Sequence, residues 1–315
     1  MTCRTRTFAL VAAALAFASP VRADIKIVVP YAPGGSADLM ARLLGPGLQQ
    51  RLGEHIIIEN RGGAGGALGN EIVARAAPDG KTILVANLGS HVIAPLTRPP
   101  VGYEQAKAFE PIVLMGAMPA MMAIRPEIPA NTFAELVAWA KAGNKLTFGS
   151  AGSATTMHIS GELFNAGTGA KATHVPYRGV APAMNDLLGG HLDMIIADIQ
   201  APLPHVRSGK MRALALFAAE RSPLAPEVPS TKELGYPDMR MENWYGVLAP
   251  AGTPPDLLAK YEQAALEIVT TSPVKEKLAE ANVLGVKDRA GFKAQLDRDF
   301  VYWATQIKTL GITAE

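Results

Sequence analysis

The 315-residue chain holds a single cysteine, Cys3. With no cysteine beyond it, a disulfide framework, a thiolate metal site and a thiol nucleophile in the body of the protein are all excluded. Aromatic residues are scarce at 6 %, and charged residues reach only 18 %. Long basic runs are few and the net charge is near zero, which argues against nucleic acid or anionic lipid as a partner. Beyond the first residues there is no apolar run long enough to cross a bilayer of about 30 Å as a helix. Small and conformationally special residues are plentiful instead. The 30 glycines and 24 prolines predict short helices, tight strand-to-helix turns and many loops.

The start reads as a secretory signal peptide. Arg4 and Arg6 supply a basic beginning, Phe8 to Phe17 an apolar stretch, and Val21-Arg22-Ala23 a cleavage site after Ala23. Cys3 lies before the apolar stretch, so it is no lipid-attachment site and leaves with the peptide. Cleavage at that point removes three arginines and no acid, taking the formal charge from +2 to −1. Losing 23 of 315 residues leaves 292, enough for two domains with filled cores. The expectation is an exported, soluble protein.

Strand and helix patterns alternate along the chain, which predicts parallel α/β architecture. Ile25 to Pro30, His55 to Asn60 and Lys81 to Asn87 read as strands. Between them, Leu39, Met40, Leu43 and Leu44 recur at helical spacing, and Ala67 to Ala76 gives a second helix. Gly45-Pro46-Gly47 predicts a break or kink in the first helix. Farther on, helix 132–142, strand 145–149, a helix through His158 and Phe164, strand 172–177, helix 181–188 and strand 192–198 follow. Thr253-Pro254 and Ser272-Pro273 read as helix starts, with the serine or threonine as cap. A final helix of about 290–310 carries Phe292, Leu296, Phe300 and Trp303. Trp139, Trp244 and Trp303 are expected to pack rather than to cage a ligand.

Enzyme signatures fail on inspection. Gly80-Lys81-Thr82 would need a glycine where Arg75 stands to complete a phosphate-binding loop. The turn Gly62-Gly63-Ala64-Gly65-Gly66 has Leu68 where a dinucleotide motif needs its third glycine. No nucleophile elbow surrounds Ser36, Ser90, Ser150 or Ser153. The six histidines show no metal-ligand spacing, and His158 with Glu162 makes only two ligands on one helix face.

Two loops survive this sieve, and they resemble one another. Pro33-Gly34-Gly35-Ser36-Ala37-Asp38 and Ser150-Ala151-Gly152-Ser153-Ala154-Thr155 each join an apolar strand to a helix. Glycines let backbone N–H groups turn toward one point, and the helix start adds positive potential. Tyr177-Arg178-Gly179 opens a third such helix. Asp38 would repel an anion, so it is expected to accept backbone N–H bonds and hold its loop. Arg178 either pairs with a ligand carboxylate or is solvated. Asp198 either accepts from a ligand hydroxyl or ammonium or fixes a loop. A hydrogen bond to a charged group contributes roughly 1.5–3 kcal/mol, and a helix end about 0.3–1 kcal/mol. Micromolar binding needs about 8 kcal/mol, so one loop is insufficient and two lobes must close together.

The sequence resembles the periplasmic substrate-binding subunits of tripartite tricarboxylate transporters, the Bug-type receptors. The matching stretches are Val29 to Asp38, Glu59 to Gly66, Ala77 to Thr82, Gly149 to Ser153, Val175 to Gly179, Leu188 to Asp193 and Trp244 to Pro254. They stand in the family's order across essentially the whole mature chain. The resemblance implies a two-lobed α/β periplasmic-binding-protein fold of the Venus-flytrap type, with strands crossing between lobes. Residues 24–110 and 243–315 would form lobe 1, and 111–242 lobe 2, behind a 1–23 signal peptide. It implies no enzyme activity, metal or other cofactor. The ligand would be a small mono-, di- or tricarboxylate, and the partner a membrane permease, with the receptor monomeric. By motif position the ligand would fall to Tyr31, Gly34, Gly35 and Ser36 in one lobe. In the other it would fall to Ser150, Gly152, Ser153, Thr155, Tyr177 and Gly179, with Ser90 and Asp198 helping to choose it. Two rivals stand beside this reading: a sensor reporting solute to a membrane receptor, and a periplasmic hydrolase or isomerase.

Overall fold

The computed structural model describes residues 24–97 and 104–312; the expected signal peptide lies outside them. The chain begins β1 (Ile25–Val29), α1 (Ser36–Leu52), β2 (Ile56–Asn60), α2 (Ala67–Ala74), β3 (Thr82–Asn87) and the short α3 (Ala94–Thr97). β1 lies between β2 and β3, parallel to both. Parallel strands need a covered crossover, and α1 and α2 supply it. Ile25, Ile27, Val28 and Val29 are all buried, as a strand covered on both faces requires.

A 16-residue strand, β4 (Phe109–Ile124), then runs through both halves of the molecule. After it come α4 (Phe133–Lys141), β5 (Thr147–Ser150), α5 (Thr156–Thr168), β6 (Thr173–Pro176), α6 (Val180–Leu188), β7 (Met194–Asp198), α7 (Leu203–Arg207) and β8 (Arg212–Phe217). β9 (Glu242–Pro250) returns to the first half, and α8 (Pro255–Thr270), α9 (Val274–Glu280) and α10 (Arg289–Leu310) end the fold. The strand order is β2-β1-β3-β9-β4-β7-β5-β6, with β8 also on β4. Up to Pro119, β4 pairs antiparallel with β9; from Ala120 it pairs with β7 and β8. The change of partner along one strand marks the crossing between the two lobes.

Three differences from the sequence reading have local causes. α1 does not break at Gly45-Pro46-Gly47. Pro46 points to solvent, where water can take up the carbonyl of Arg42 that it leaves without a donor. The flanking glycines allow close packing, since a side chain at Gly47 would meet Ile268 of α8 at 2.7 Å. The start of α8 is one residue later than Thr253-Pro254 suggests. Pro255 forces extended backbone on Pro254, which becomes the cap (φ −53°, ψ 138°), and Thr253 Oγ1 donates to Pro250 O at 2.7 Å instead. At α9 the cap is Pro273, while Ser272 Oγ donates to Glu276 Oε1 at 2.6 Å.

Packing fixes the rest. On α1, Met40, Leu44 and Leu48 form a buried stripe against β1 and α8, each contributing about 1.5–3 kcal/mol by burial. Trp244 is fully buried, with its Nε1–H on Asp299 Oδ2 at 2.8 Å, and Trp303 is buried too. Trp139 is partly buried against the same core. Among the described residues no helix is long and apolar enough to cross a membrane.

Candidate functional site

The turn after β1 is organised by an acid that faces away from its mouth. Asp38 is buried and accepts from Gly34 N (3.0 Å), Arg42 Nε (2.8 Å) and Asn60 Nδ2 (3.1 Å). Burial alone would raise its pKa, but those donors and the Arg42 charge outweigh it and hold the carboxyl below its usual value. Gly34 takes φ +90°, a left-handed conformation that a side chain would strain. Gly35 caps α1 with extended backbone and no side-chain acceptor. The first N–H groups of α1 have no intrahelical partner, so they remain open for a ligand.

The second lobe repeats the device twice. Thr155 caps α5, and its Oγ1 also donates to Gly152 O at 2.8 Å. Ser150 is buried, with Oγ 2.9 Å from Gly152 O, 3.1 Å from Gly152 N and 2.6 Å from His174 Nε2. The imidazoles of His158 and His174 stack at 3.9 Å behind this loop. Burial, then the neighbouring His158, pushes the His174 pKa down to about 4, so near neutral pH it braces the loop uncharged. Gly179 caps α6, again with no side-chain acceptor. Tyr177 Oη is spent on Asp186 at 2.7 Å.

These three helix starts open onto one small cavity between the lobes. Ser36 and Ala37 of α1, Thr156 and Met157 of α5 and Val180 of α6 all line it. The lobes already touch around it. Gln200 Nε2 donates to Ser36 Oγ at 3.0 Å, and a side chain on Gly65 would come within 2.6 Å of Ser153 O. The arrangement is the closed one.

The remaining wall is a buried polar network. Tyr31 Oη donates to Asn87 Oδ1 at 3.0 Å. Tyr245 Oη donates to Asp198 Oδ2 in a short bond, and Asn243 Nδ2 donates to Tyr245 Oη at 2.6 Å. Asp198 is largely buried at the cavity wall, and that burial, only partly offset by Tyr245, Ser36 and Asn243, raises its pKa. Asp198 thus stands among Tyr245, Asn243 and Ser36, the first residue of α1.

Of the residues selected from the sequence, Tyr31, Gly35, Ser36, Thr155, Gly179 and Asp198 line the cavity. Gly34, Ser90, Ser150, Gly152, Ser153 and Tyr177 are not among the lining residues; they shape the loops behind it. Ser90, for example, is buried and bonded to Asn87 through Ser90 N at 2.9 Å. Arg178 is exposed. Asn87, Thr156, Asn243 and Tyr245 line the cavity without having been singled out. Asn87 and Asn243 carry no local motif, whereas Tyr245 lies within the Trp244 to Pro254 stretch that supports the family resemblance. Asn243 and Tyr245 do flank Trp244, which a polar pair on one face of a strand could have drawn attention to.

A two-lobed α/β protein with helix starts converging on a closed cleft is a solute-binding protein by class. The sequence pattern described as "Tripartite tricarboxylate transporter family receptor" matches residues 40–311, and the chain belongs to that family. It is similar to Protein BugT of Bordetella pertussis, 34 % identical over 306 residues that cover 93 % of each chain. Among solved structures it is similar to the periplasmic binding protein BugD, at 31 % identity and TM-score 0.86, covering 93 % of this chain and 99 % of that one. Rpa4515 of R. palustris, solved with adipate, is 28 % identical with TM-score 0.88, covering 94 % and 100 %. MatC of Rhodopseudomonas palustris, solved with bound malate, is 32 % identical with TM-score 0.84, covering 91 % and 99 %.

Proposed function

We propose that this chain captures a small mono-, di- or tricarboxylate between its lobes in the periplasm. It then delivers the ligand, unchanged, to the membrane subunits of a tripartite tricarboxylate-type permease. The observation that carries this reading is the convergence of three helix N-termini, two of them capped by glycine, on one closed cavity. Such termini favour a carboxylate through both their open N–H groups and their dipoles. The adipate and malate bound by two relatives are of the same chemical class. Residues 1–23 act as the export signal, and the mature protein works as a monomer. Lobe 1 comprises 24–110 and 243–315, and lobe 2 comprises 111–242.

A hydrolase would need an activated nucleophile in the cleft. The Ser150–His174 pair at 2.6 Å comes closest in form, but Ser150 is fully buried and its hydroxyl is engaged with Gly152. The test is a panel of small carboxylates added to the mature protein. At least one is expected to raise the melting temperature by several degrees and to be recovered chemically intact. A panel without any such shift overturns the ligand class, and recovery of a converted product overturns the receptor role.

A further inference from the structure

Ala154 is the most strained residue of the second-lobe loop. It is fully buried and yet takes φ +61°, in the left-handed region that side chains disfavour. Its N–H donates to His158 Nδ1 at 3.1 Å, on the first turn of α5. A buried N–H is rarely left without an acceptor, so this bond helps to hold the strained residue in place.

The bond also fixes the state of the ring. Nδ1 must offer a lone pair, so the one proton of the neutral imidazole lies on Nε2, 3.7 Å from Glu162 Oε1. A second proton can enter only at Nδ1, and it cannot share that position with the Ala154 N–H. Glu162 favours a charge on His158 while the shut loop forbids one. Protonated His158 and the loop as it stands exclude one another.

The neighbours leave this conflict to His158 alone. His174 of β6 stacks on it with the rings 13° apart in tilt, and its Nε2 is tied to Ser150 Oγ at 2.6 Å. With its pKa pushed down to about 4, by burial first and His158 second, His174 stays neutral while ordinary histidines titrate. β5 contributes Phe148, stacked on both rings, and Ser150, neither of them charged. β7 and α10 also pack on α5. Among the described residues neither sends a bonded side chain to either ring, and Glu162 is the one acid paired with His158.

The loop so held presents Ala151, Thr155 and Thr156 to the cavity, and Ser153 O meets the other lobe at Gly65. We infer that His158 is a proton-operated latch on this loop. Neutral, it keeps the loop in its binding shape; protonated, it lets Ala154 go, pairs with Glu162 and weakens the site. Affinity therefore falls on acidification. The inference rests on the carboxylate reading only for the identity of what is released.

The first test is NMR of the ligand-free mature protein between pH 8 and pH 5. The His158 ring is expected in its Nε2–H form at pH 8, and the Ala154 amide signal is expected to move with the same midpoint as the ring. An Ala154 signal that stays put while His158 titrates overturns the latch. So does a ring in the Nδ1–H form at pH 8, or one that gains no proton above pH 5. The second test uses His158→Asn, whose Oδ1 can accept where Nδ1 did but takes up no proton. Linkage allows up to about tenfold per pH unit for one proton. In calorimetry with malate and adipate as probes, the wild type is expected to lose at least fivefold more affinity between pH 7.5 and pH 5.5 than His158→Asn does. Titration of the acids themselves, and of Asp198, is common to both proteins and cancels. Equal pH dependence in the two overturns the latch. If neither acid binds at pH 7.5, the carboxylate reading is what fails, and the NMR titration still decides the latch.

Discussion

Asp38 is an acid placed one helical turn from a site that collects positive potential, and its contacts explain why it is there. It holds Gly34 N–H and Asn60 from behind, so that the N–H groups next in sequence are left facing the cavity. Replacing it by alanine removes the shared acceptor of Gly34 N, Arg42 Nε and Asn60 Nδ2, and hydrogen bonds to a charged group contribute roughly 1.5–3 kcal/mol each. Asp38→Ala is expected to lower stability by roughly 2–4 kcal/mol in urea unfolding at pH 7. The pH dependence has a definite sign. Because the folded carboxyl titrates below its unfolded value of about 3.9, its contribution is complete above that value. It is lost as pH falls through the lower folded value. The stability gap between wild type and Asp38→Ala should therefore narrow between pH 7 and pH 3. A gap that widened on acidification would show that the carboxylate is not the stabilising form.

At the scale of elements, α1 carries the most information per residue. Its glycines are weak helix formers that serve packing. Gly47→Ala would gain about 1 kcal/mol in helix propensity. Yet the new carbon would sit 2.7 Å from Ile268 of α8, and overpacking of this kind costs about 1–3 kcal/mol. Net destabilisation is expected, and it should vanish in an Ile268→Ala background. A double-mutant cycle in urea measures the coupling, and simple additivity would refute the contact. The same helix shows what sequence reasoning reached. The strand-to-helix turns were legible because glycine, cap and apolar period lie within ten residues of one another. The 16-residue β4 was not, because Pro111, Gly116 and Pro119 read locally as breakers. The strand exists through its pairing with β9, and its register shifts between Pro111 and Val113 and again between Leu114 and Gly116. Half of the cavity wall was hidden for the same reason. Asn243 and Tyr245 meet Asp198, and Asn87 joins the same wall, only once remote pairing sets β9 between β3 and β4, with β7 on the far side of β4.

The whole molecule works, on this account, only if its halves come together, because no single loop supplies enough donors. Gly65 is the position where that requirement can be tested apart from the ligand contacts. It does not line the cavity, and its φ of +65° together with the 2.6 Å approach of Ser153 O reserves it for glycine. A Gly65→Ala substitution carries a local conformational cost of about 1–2 kcal/mol. It also sets a methyl group against a main-chain oxygen of the opposite lobe, a clash that opening the cleft relieves. The population of closed protein should fall, and apparent affinity falls with it in proportion. For whichever carboxylate binds the wild type, Gly65→Ala is expected to raise the dissociation constant by about tenfold or more. Small-angle scattering should then show the variant more expanded than wild type at equal, sub-saturating ligand. Gly143→Ala supplies the control, since Gly143 also has positive φ (+91°) but nothing lies within 4 Å of the added carbon. That variant should bear the strain and keep its affinity. Equal binding by Gly65→Ala and wild type would mean that the lobes need not meet at this contact. In that case closure at this turn could not be what brings the donors of the two lobes onto one carboxylate.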